Sequence, residues 1–345
     1  MGALENRFHR LIHGKEFAND VIAVIQKDGE IRFSPLDVRF QNGHRVSDRD
    51  AKIVHVAIDR VSAFQLSLNQ LMSKSDRAFH KSPEPSEMLE RAFWERHLGM
   101  NDITFSLDFQ KPDQREEVTA RIFVWNWNAR IVVSDVDGTI TRSDKRGIVM
   151  SALKLDWAHE GVAPLFSEIA ENGYKMLYLS GRPRSRAEST RKYLKELKQR
   201  HKNELTSLPE GPVIVSPDRL VHSFWREVNG TEDVAFKIPY LEEIRGLFPQ
   251  GDGTENPLFA GFGNRKADMK TYKKLGIPCY SRYSINGSQG GIDVTCNSTT
   301  PTDSFTYTAL NEFVTQKFPK LAEVNETTPV KPFYFTLWGL IFPKK

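Results

Sequence analysis

At Arg130 the spacing of apolar residues changes, and this change restricts the folds open to the 345-residue chain more than any other feature. From Asp20 to about Trp127, apolar side chains mostly recur at every second position. Phe64, Leu66 and Leu68 alternate with Gln65, Ser67 and Asn69, and Ile103, Phe105, Leu107 and Phe109 alternate with Thr104, Ser106 and Asp108. Successive strand residues point to opposite faces, so the pattern predicts a half-buried sheet with one wet face, in a small all-β sandwich. A stretch rich in Ser, Pro and charge, Ser73–Glu87, reads as a connector between strand groups. Past Arg130, short apolar runs at Ile131–Ser134, Met176–Ser180, Pro212–Val215, Leu258–Ala260 and Ile277–Tyr280 alternate with helical segments at Val162–Ala170 and Arg186–Lys198. That alternation predicts βαβ units, a mainly parallel sheet and a Rossmann-like domain, with reactive groups at the carboxyl ends of the strands.

Composition narrows the classes further. With 39% apolar and 11% aromatic residues and a net charge of +4, the chain is neither disordered nor a low-complexity linker, and its length leaves room for about two domains. Two cysteines, Cys279 and Cys296, make no disulfide framework and lack zinc-site spacing, which points to a reducing compartment. The first 20 residues carry charge throughout without a signal-peptide core, so a cytosolic protein is expected. The most apolar window, Phe333–Phe342, has ten residues, about half of what a membrane-crossing helix requires. Near the amino terminus, Leu4, Phe8, Leu11 and Ile12 recur with helical spacing beside Arg7, Arg10 and Lys15. Such a helix either docks on the protein's own core or lies in a membrane interface. The nine Lys and Arg residues of Arg182–Lys202 read equally as a solvated helix face or as a surface for anionic lipid.

Chemistry concentrates at the predicted strand ends. The first parallel strand runs into Asp135-Val136-Asp137-Gly138-Thr139 and the second into Ser180-Gly181-Arg182-Pro183. A later helix opens with Phe236-Lys237-Ile238-Pro239, and the fourth strand continues into Gly261-Phe262-Gly263-Asn264-Arg265-Lys266-Ala267-Asp268. By uniform composition the D-x-D-G-T pattern would arise by chance in roughly 0.2% of chains of this length, and here it also has its strand-end context. The two glycines around Phe262 lack the third that a dinucleotide loop requires. Trp125 and Trp127 read as packing residues, and His159 either as a capping or packing residue or as an edge of the site.

In this order, a DxDGT motif, a strand-end hydroxyl, a lysine and an acidic or amide cluster, the residues resemble the haloacid dehalogenase superfamily. More closely, Val132–Asp144 with Trp125-Asn126-Trp127 before it, Trp157–Ala163, Phe236-Lys237-Ile238 and Gly261–Arg265 with Asp268 resemble the catalytic region of lipin phosphatidate phosphatases. Val24–Arg39, closing with Phe33-Ser34-Pro35-Leu36-Asp37-Val38-Arg39-Phe40, resembles the amino-terminal lipin region. The resemblance implies a haloacid dehalogenase-like catalytic domain preceded by an immunoglobulin-like β-sandwich. The expected divisions are 1–17 as an amphipathic membrane-binding helix, 18–128 as the sandwich, 129–320 as the catalytic domain and 321–345 as a carboxyl-terminal segment.

A phosphate monoester is doubly negative and resists nucleophiles, so its hydrolysis needs a cation, fixed donors and a positioned nucleophile. Asp135 suits in-line attack on phosphorus, and the resemblance assigns it that role, with an aspartyl-phosphate intermediate. Asp137 would protonate the leaving alkoxide and then deprotonate the attacking water. Two carboxylates about 4 Å apart repel by roughly 4 kcal/mol at an effective dielectric near 20, which calls for a divalent cation. Oxygen ligands suit Mg²⁺. The resemblance puts the ion on the Asp135–Asp137 pair, the Val136 carbonyl and the last motif, where either Asn264 or Asp268 makes the direct bond. Ser180 and the Gly181 amide would hold a phosphoryl oxygen, and Lys237 would offset charge and orient Asp135. The implied substrate is phosphatidic acid in a bilayer surface, with no nucleic-acid partner expected. The implied location is peripheral, on the endoplasmic reticulum or nuclear membrane. Two other readings are a phosphatase of phosphoproteins or soluble phosphate esters and a transcriptional coactivator or scaffold. The intact Asp135 and Asp137 argue against the second.

Overall fold

A computed structural model of the protein describes residues 17–36, 38–40, 53–67, 91–108, 115–142, 157–183, 186–216, 234–251, 253–286, 290–294, 296 and 303–322. The amino-terminal part comprises strands β1 (Phe17–Ala18), β2 (Val21–Ile25), β3 (Ile31–Phe33), β4 (Val38–Arg39), β5 (Ile53–Ile58), β6 (Val61–Ser67), β7 (Gly99–Asp108) and β8 (Arg115–Asn126), with helix α1 (Arg91–Arg96) before β7. Six of these strands form one sheet in the order β3-β2-β8-β7-β5-β6, and β1 pairs with β4. The expected alternation holds in β5, where Val54, Val56 and Ile58 are buried between less buried neighbours. It fails in β2, which is buried at every position. The cause is a second covering layer. Val21, Ala23 and Ile25 face the core of the amino-terminal sheet. On the other side, Ile22 and Val24, with Phe123 and Trp125 of β8, pack against Ile131, Val133, Leu177, Leu179 and Ile214 of the second sheet. The face predicted to be wet is thus covered at this end of the sheet.

The second part contains β9 (Ile131–Asp135), α2 (Val162–Glu171), β10 (Lys175–Pro183), α3 (Ala187–Glu196), the hairpin β11 (Lys198–His201) and β12 (Glu204–Ser207), β13 (Val213–Ser216), α4 (Val234–Gly246), β14 (Leu258–Gly263), α5 (Lys266–Lys274), β15 (Arg282–Ile285), β16 (Gly291–Val294), β17 (Asp303–Thr306), α6 (Tyr307–Glu312) and α7 (Val314–Lys317). Its seven-stranded sheet has the order β13-β10-β9-β14-β15-β16-β17. Pairs from β13 to β15 are parallel, and those of β15 with β16 and β16 with β17 are antiparallel. Burial on both faces explains the continuous apolar runs. In β9, Val132 joins the core built with Val162, Leu165, Phe166 and Ile169 of α2, while Ile131 and Val133 point to the opposite layer with Leu241 and Ile244 of α4. From β9 the chain winds to β10 and β13 on one side and later returns to β14 on the other, which puts a topological switch point beside β9. In open α/β sheets that crevice is where ligands bind.

Two expectations require correction. Residues 277–280 are not a strand; a 3₁₀ turn covers Cys279–Ser281 and the strand starts at Arg282. Gly276 at φ 79° and Pro278, which has no N–H for a ladder, delay the extended chain. Cys279 and Cys296, read as marking a reducing compartment, are joined in a disulfide with Cα atoms 5.0 Å apart. Two cysteines suffice for one bond, and the fold brings this pair together although 17 residues separate them. Among the described residues, no helix is long and apolar enough to cross a membrane.

Candidate active site

Strand register lines up the reactive ends. Leu179 of β10 pairs with Asp135, the last residue of β9, and Phe262 of β14 pairs with Ser134. Ser180 and Gly263 therefore flank the point where Asp135 leaves the sheet. The loop that follows is tied down by its own backbone. The Val136 carbonyl accepts from the Ile140 and Thr141 amides at 3.0 and 3.1 Å and from the Thr141 hydroxyl at 3.4 Å, and the Gly138 amide donates to Thr141 Oγ1 at 3.0 Å. Gly138 sits at φ 88°, a left-handed conformation that a residue with a Cβ rarely adopts. From α6, the Tyr307 hydroxyl donates to the Thr139 carbonyl at 2.7 Å. Three donors thus converge on the Val136 carbonyl, the oxygen that the resemblance assigns to the metal.

At the centre lies a buried carboxylate–ammonium–carboxylate cluster. Lys237 Nζ donates to Asp135 Oδ1 and to Asp268 Oδ1, each at 2.6 Å, and the three residues are 1%, 4% and 0% exposed, respectively. Burial pushes the Asp135 carboxyl up to about 7 against the pull of Lys237. For Lys237, burial favours the neutral amine, but Asp135 and Asp268 outweigh it and hold the ammonium charged. Asp268 is the third residue of α5, and its Oδ2 accepts from the Arg265 amide at 3.1 Å in a capping box. The glycines of Gly261-Phe262-Gly263 serve this packing. A Cβ on Gly263 would lie 2.4 Å from Asp268 Cβ, and one on Gly261 would lie 2.6 Å from the Tyr272 ring.

Asp137 is directed elsewhere. Its Oδ2 accepts from Ser180 Oγ at 2.9 Å, and its Oδ1 accepts from Arg182 Nε and Nη2 at 3.0 and 2.7 Å. The structure thus brings Asp135, Asp137, Ser180, Lys237 and Asp268 together, while Gly181 follows Ser180 on the same strand end and Asn264 lies half-buried in the turn after β14. Leu4, Phe8, Leu11 and Ile12 lie outside the described residues. Arg182, Thr141 and Tyr307 had no assigned role. Arg182 stands in the strand-end run Ser180–Pro183 and in the basic run without a sign of its partner, and nothing local marks Tyr307, 168 residues from Thr139. His159 is buried beneath the loop, hydrogen-bonded to the Gly138 backbone with its ring stacked on Tyr307, and burial lowers its pKa. Trp125 is 3% exposed in the core, as its packing role requires.

The donor set fits a hard cation. With all three carboxyls ionised, Asp135, Asp137 and Asp268 exceed Lys237 and Arg182 by one negative charge before any phosphate arrives. All candidate donors are oxygens. Among the described residues, no group of three or more His, Cys, Asp and Glu side chains is placed to hold a metal ion by itself. Mg²⁺ takes oxygen donors, keeps waters and binds through one or two carboxylates and substrate phosphates.

The fold and the site define an α/β protein of the parallel-sheet class, with its reactive carboxylates, hydroxyl and lysine at the carboxyl ends of β9, β10 and β14. Residues 86–319 match the family described as LNS2 (Lipin/Ned1/Smp2), and the chain belongs to that family. It is 41% identical over 231 residues to the Phosphatidic acid phosphohydrolase 1 of Saccharomyces cerevisiae, covering 65% of this chain and 26% of that protein. To the Phosphatidate phosphatase PAH1 of Arabidopsis thaliana it is 43% identical over 233 residues, 66% of this chain and 24% of the relative. To the human Phosphatidate phosphatase LPIN2 it is 37% identical over 244 residues, 70% and 26% of the two chains. The chain spans about a quarter of the length of these relatives.

Proposed function

We propose that the protein is a Mg²⁺-dependent phosphatidate phosphatase of the haloacid dehalogenase type, releasing diacylglycerol and phosphate at a membrane surface. The observation that carries this reading is the buried Asp135–Lys237–Asp268 cluster with Asp137 and Ser180 beside it, in a chain whose relatives are named for that activity. Lys237 fixes Asp135 through Oδ1, and the other carboxylate oxygen attacks phosphorus in line, so the P–O bond to the glycerol oxygen breaks as the aspartyl-phosphate forms. Asp137 enters this step protonated, gives its proton to the departing alkoxide, and regains one from the water that hydrolyses the acyl phosphate, which closes the proton cycle. Ser180 exchanges Asp137 for a phosphoryl oxygen, helped by the Gly181 amide. When bound to Asp135 and to Asn264 or Asp268, Mg²⁺ would offset the phosphate charge and keep Asp135 ionised.

In the same reading, the strands before β9 form the immunoglobulin-like sandwich of a domain 18–128, followed by a catalytic domain 129–320. The segment ahead of β1, with its Leu4, Phe8, Leu11 and Ile12 stripe beside Arg7, Arg10 and Lys15, is the part proposed to dock the enzyme on the endoplasmic reticulum or nuclear membrane. Deleting Met1–Gly14 should abolish vesicle turnover while sparing a soluble ester, and an equal loss on both would refute membrane docking.

The test of the activity is phosphate release from phosphatidate vesicles, with soluble monoesters and phosphopeptides as competitors. Chelation should stop release, Mg²⁺ should restore it, and Ca²⁺ should substitute poorly because it is larger and less strict in geometry. Full activity after chelation refutes the metal, and a preference for phosphopeptides refutes the lipid substrate.

A further inference from the structure

We infer that Arg182 is a positioning residue that aims the Asp137 carboxylate at the leaving group. The inference rests on the phosphatase reading above and goes beyond it. Arg182 extends from the carboxyl end of β10, and two of its nitrogens, Nε and Nη2, close on one oxygen of Asp137 at 3.0 and 2.7 Å. The two side chains are 14% and 19% exposed, so the pair lies at the mouth of the site and is partly shielded from water. The Arg182 amide also reaches Ser180 Oγ at 3.3 Å, and Nη1 approaches the hydroxyl of the fully buried Thr190 at 3.4 Å. Thr190 is itself held by the Arg186 carbonyl at 2.8 Å. The guanidinium is therefore fixed between α3 and the reactive loop.

Asp137 needs such a holder. It stands two residues past the nucleophile on a turn that includes Gly138 at φ 88°, and both Asp135 and an incoming phosphate dianion repel it. Among the described residues its side-chain partners are Ser180 and Arg182. Once Ser180 Oγ turns to the phosphoryl oxygen, Arg182 alone still orients the acid. Its planar fork fixes direction as well as charge, which the single ammonium of lysine cannot do. General acid catalysis is lost when the proton is misdirected, even if its donor is retained.

The test uses the full chain with Mg²⁺, two soluble monoesters and the variants Arg182→Ala and Arg182→Lys. Hexyl phosphate leaves as an alkoxide that requires a proton, whereas p-nitrophenyl phosphate leaves as a stable anion. First-turnover rates isolate the step in which the leaving group departs. Arg182→Ala should slow hexyl phosphate by about 100-fold and p-nitrophenyl phosphate by less than about threefold, with KM for both close to wild type. Arg182→Lys should recover part of the hexyl phosphate rate. A raised KM with unchanged kcat on both esters would overturn the inference by making Arg182 a phosphate-binding residue. Equal losses on both esters with a lowered Tm would overturn it by making the role structural. Wild-type turnover of these esters but not of phosphatidate vesicles would refute the lipid substrate and leave the positioning role standing.

Discussion

Two buried aspartates, Asp20 and Asp135, sit in opposite electrostatic surroundings. Asp20, from the amino-terminal part, is fully buried and over-compensated. It accepts from Arg121 Nη2 at 2.5 Å and from the Val213 amide at 2.8 Å, and it contacts Arg191 Nε at 3.0 Å. One carboxylate thus meets two guanidiniums, and the amide belongs to β13, so the group ties β8, α3 and β13 together. Around Asp135 the balance is reversed: three carboxylates share Lys237 and Arg182, and burial raises the Asp135 pKa to about 7. A buried charge with every partner supplied stabilises the fold, whereas one left short of positive charge is poised to react with a group that brings it. Arg182 and Arg191 come from the same basic run, yet each turns inward to one of these carboxylates, so neither belongs to a solvated face.

Exchanging charge for amide at each position should give opposite results. Asp135→Asn should reduce phosphate release by about 1,000-fold or more, because an amide is a poor nucleophile. Its Tm should be equal to or above that of the wild type, since an under-compensated buried charge is removed. Asp20→Asn should instead cost about 3–5 kcal/mol in urea unfolding, because two partly buried guanidiniums lose their counter-charge. Turnover per folded molecule should change little. If Asp20→Asn is as stable as the wild type, the contrast between the sites fails. The smallest expected effect concerns Glu243 on α4, whose carboxyl burial raises to about 8. Between the ordinary glutamate value and about pH 8, the native state holds a proton that the unfolded chain has lost, so stability falls as pH rises through this window. Glu243→Gln should flatten that part of a plot of Tm against pH from 5 to 9, and an unchanged slope would show that Glu243 is ionised in the fold.

How far the sequence could be read followed the range of the interactions. The parallel strands and their loops were readable because burial on both faces leaves unbroken apolar runs, and Asp135, Ser180 and Lys237 stand directly at element ends. The alternation of β5 and β7 was readable for the same local reason. What covers β2 was not, because Ile22 and Val24 meet Ile131 and Leu179 only after the two sheets pack. Asp20 met Arg121 and Arg191 across 101 and 171 positions, and no period reports such distances. Arg182 stood in the strand-end run Ser180–Pro183, but a guanidinium among nine basic residues carries no local sign that it turns inward to Asp137. The Gly261 and Gly263 requirement came from close packing of Tyr272 and Asp268 against the strand, which the sequence does not show even where the missing third glycine excludes a dinucleotide loop.

In the proposed mechanism Asp135 is the covalent acceptor of the phosphoryl group. Its most direct test is to mix the protein with Mg²⁺ and phosphatidate vesicles, quench in acid within the first turnovers, and map the phosphorylated peptide by mass spectrometry. A hydroxylamine-labile phosphoryl group is expected on Asp135, absent from Asp135→Asn and accumulating in Asp137→Asn if a first turnover occurs. A phosphoryl group on another residue, or phosphate release by folded Asp135→Asn at the wild-type rate, would contradict the mechanism.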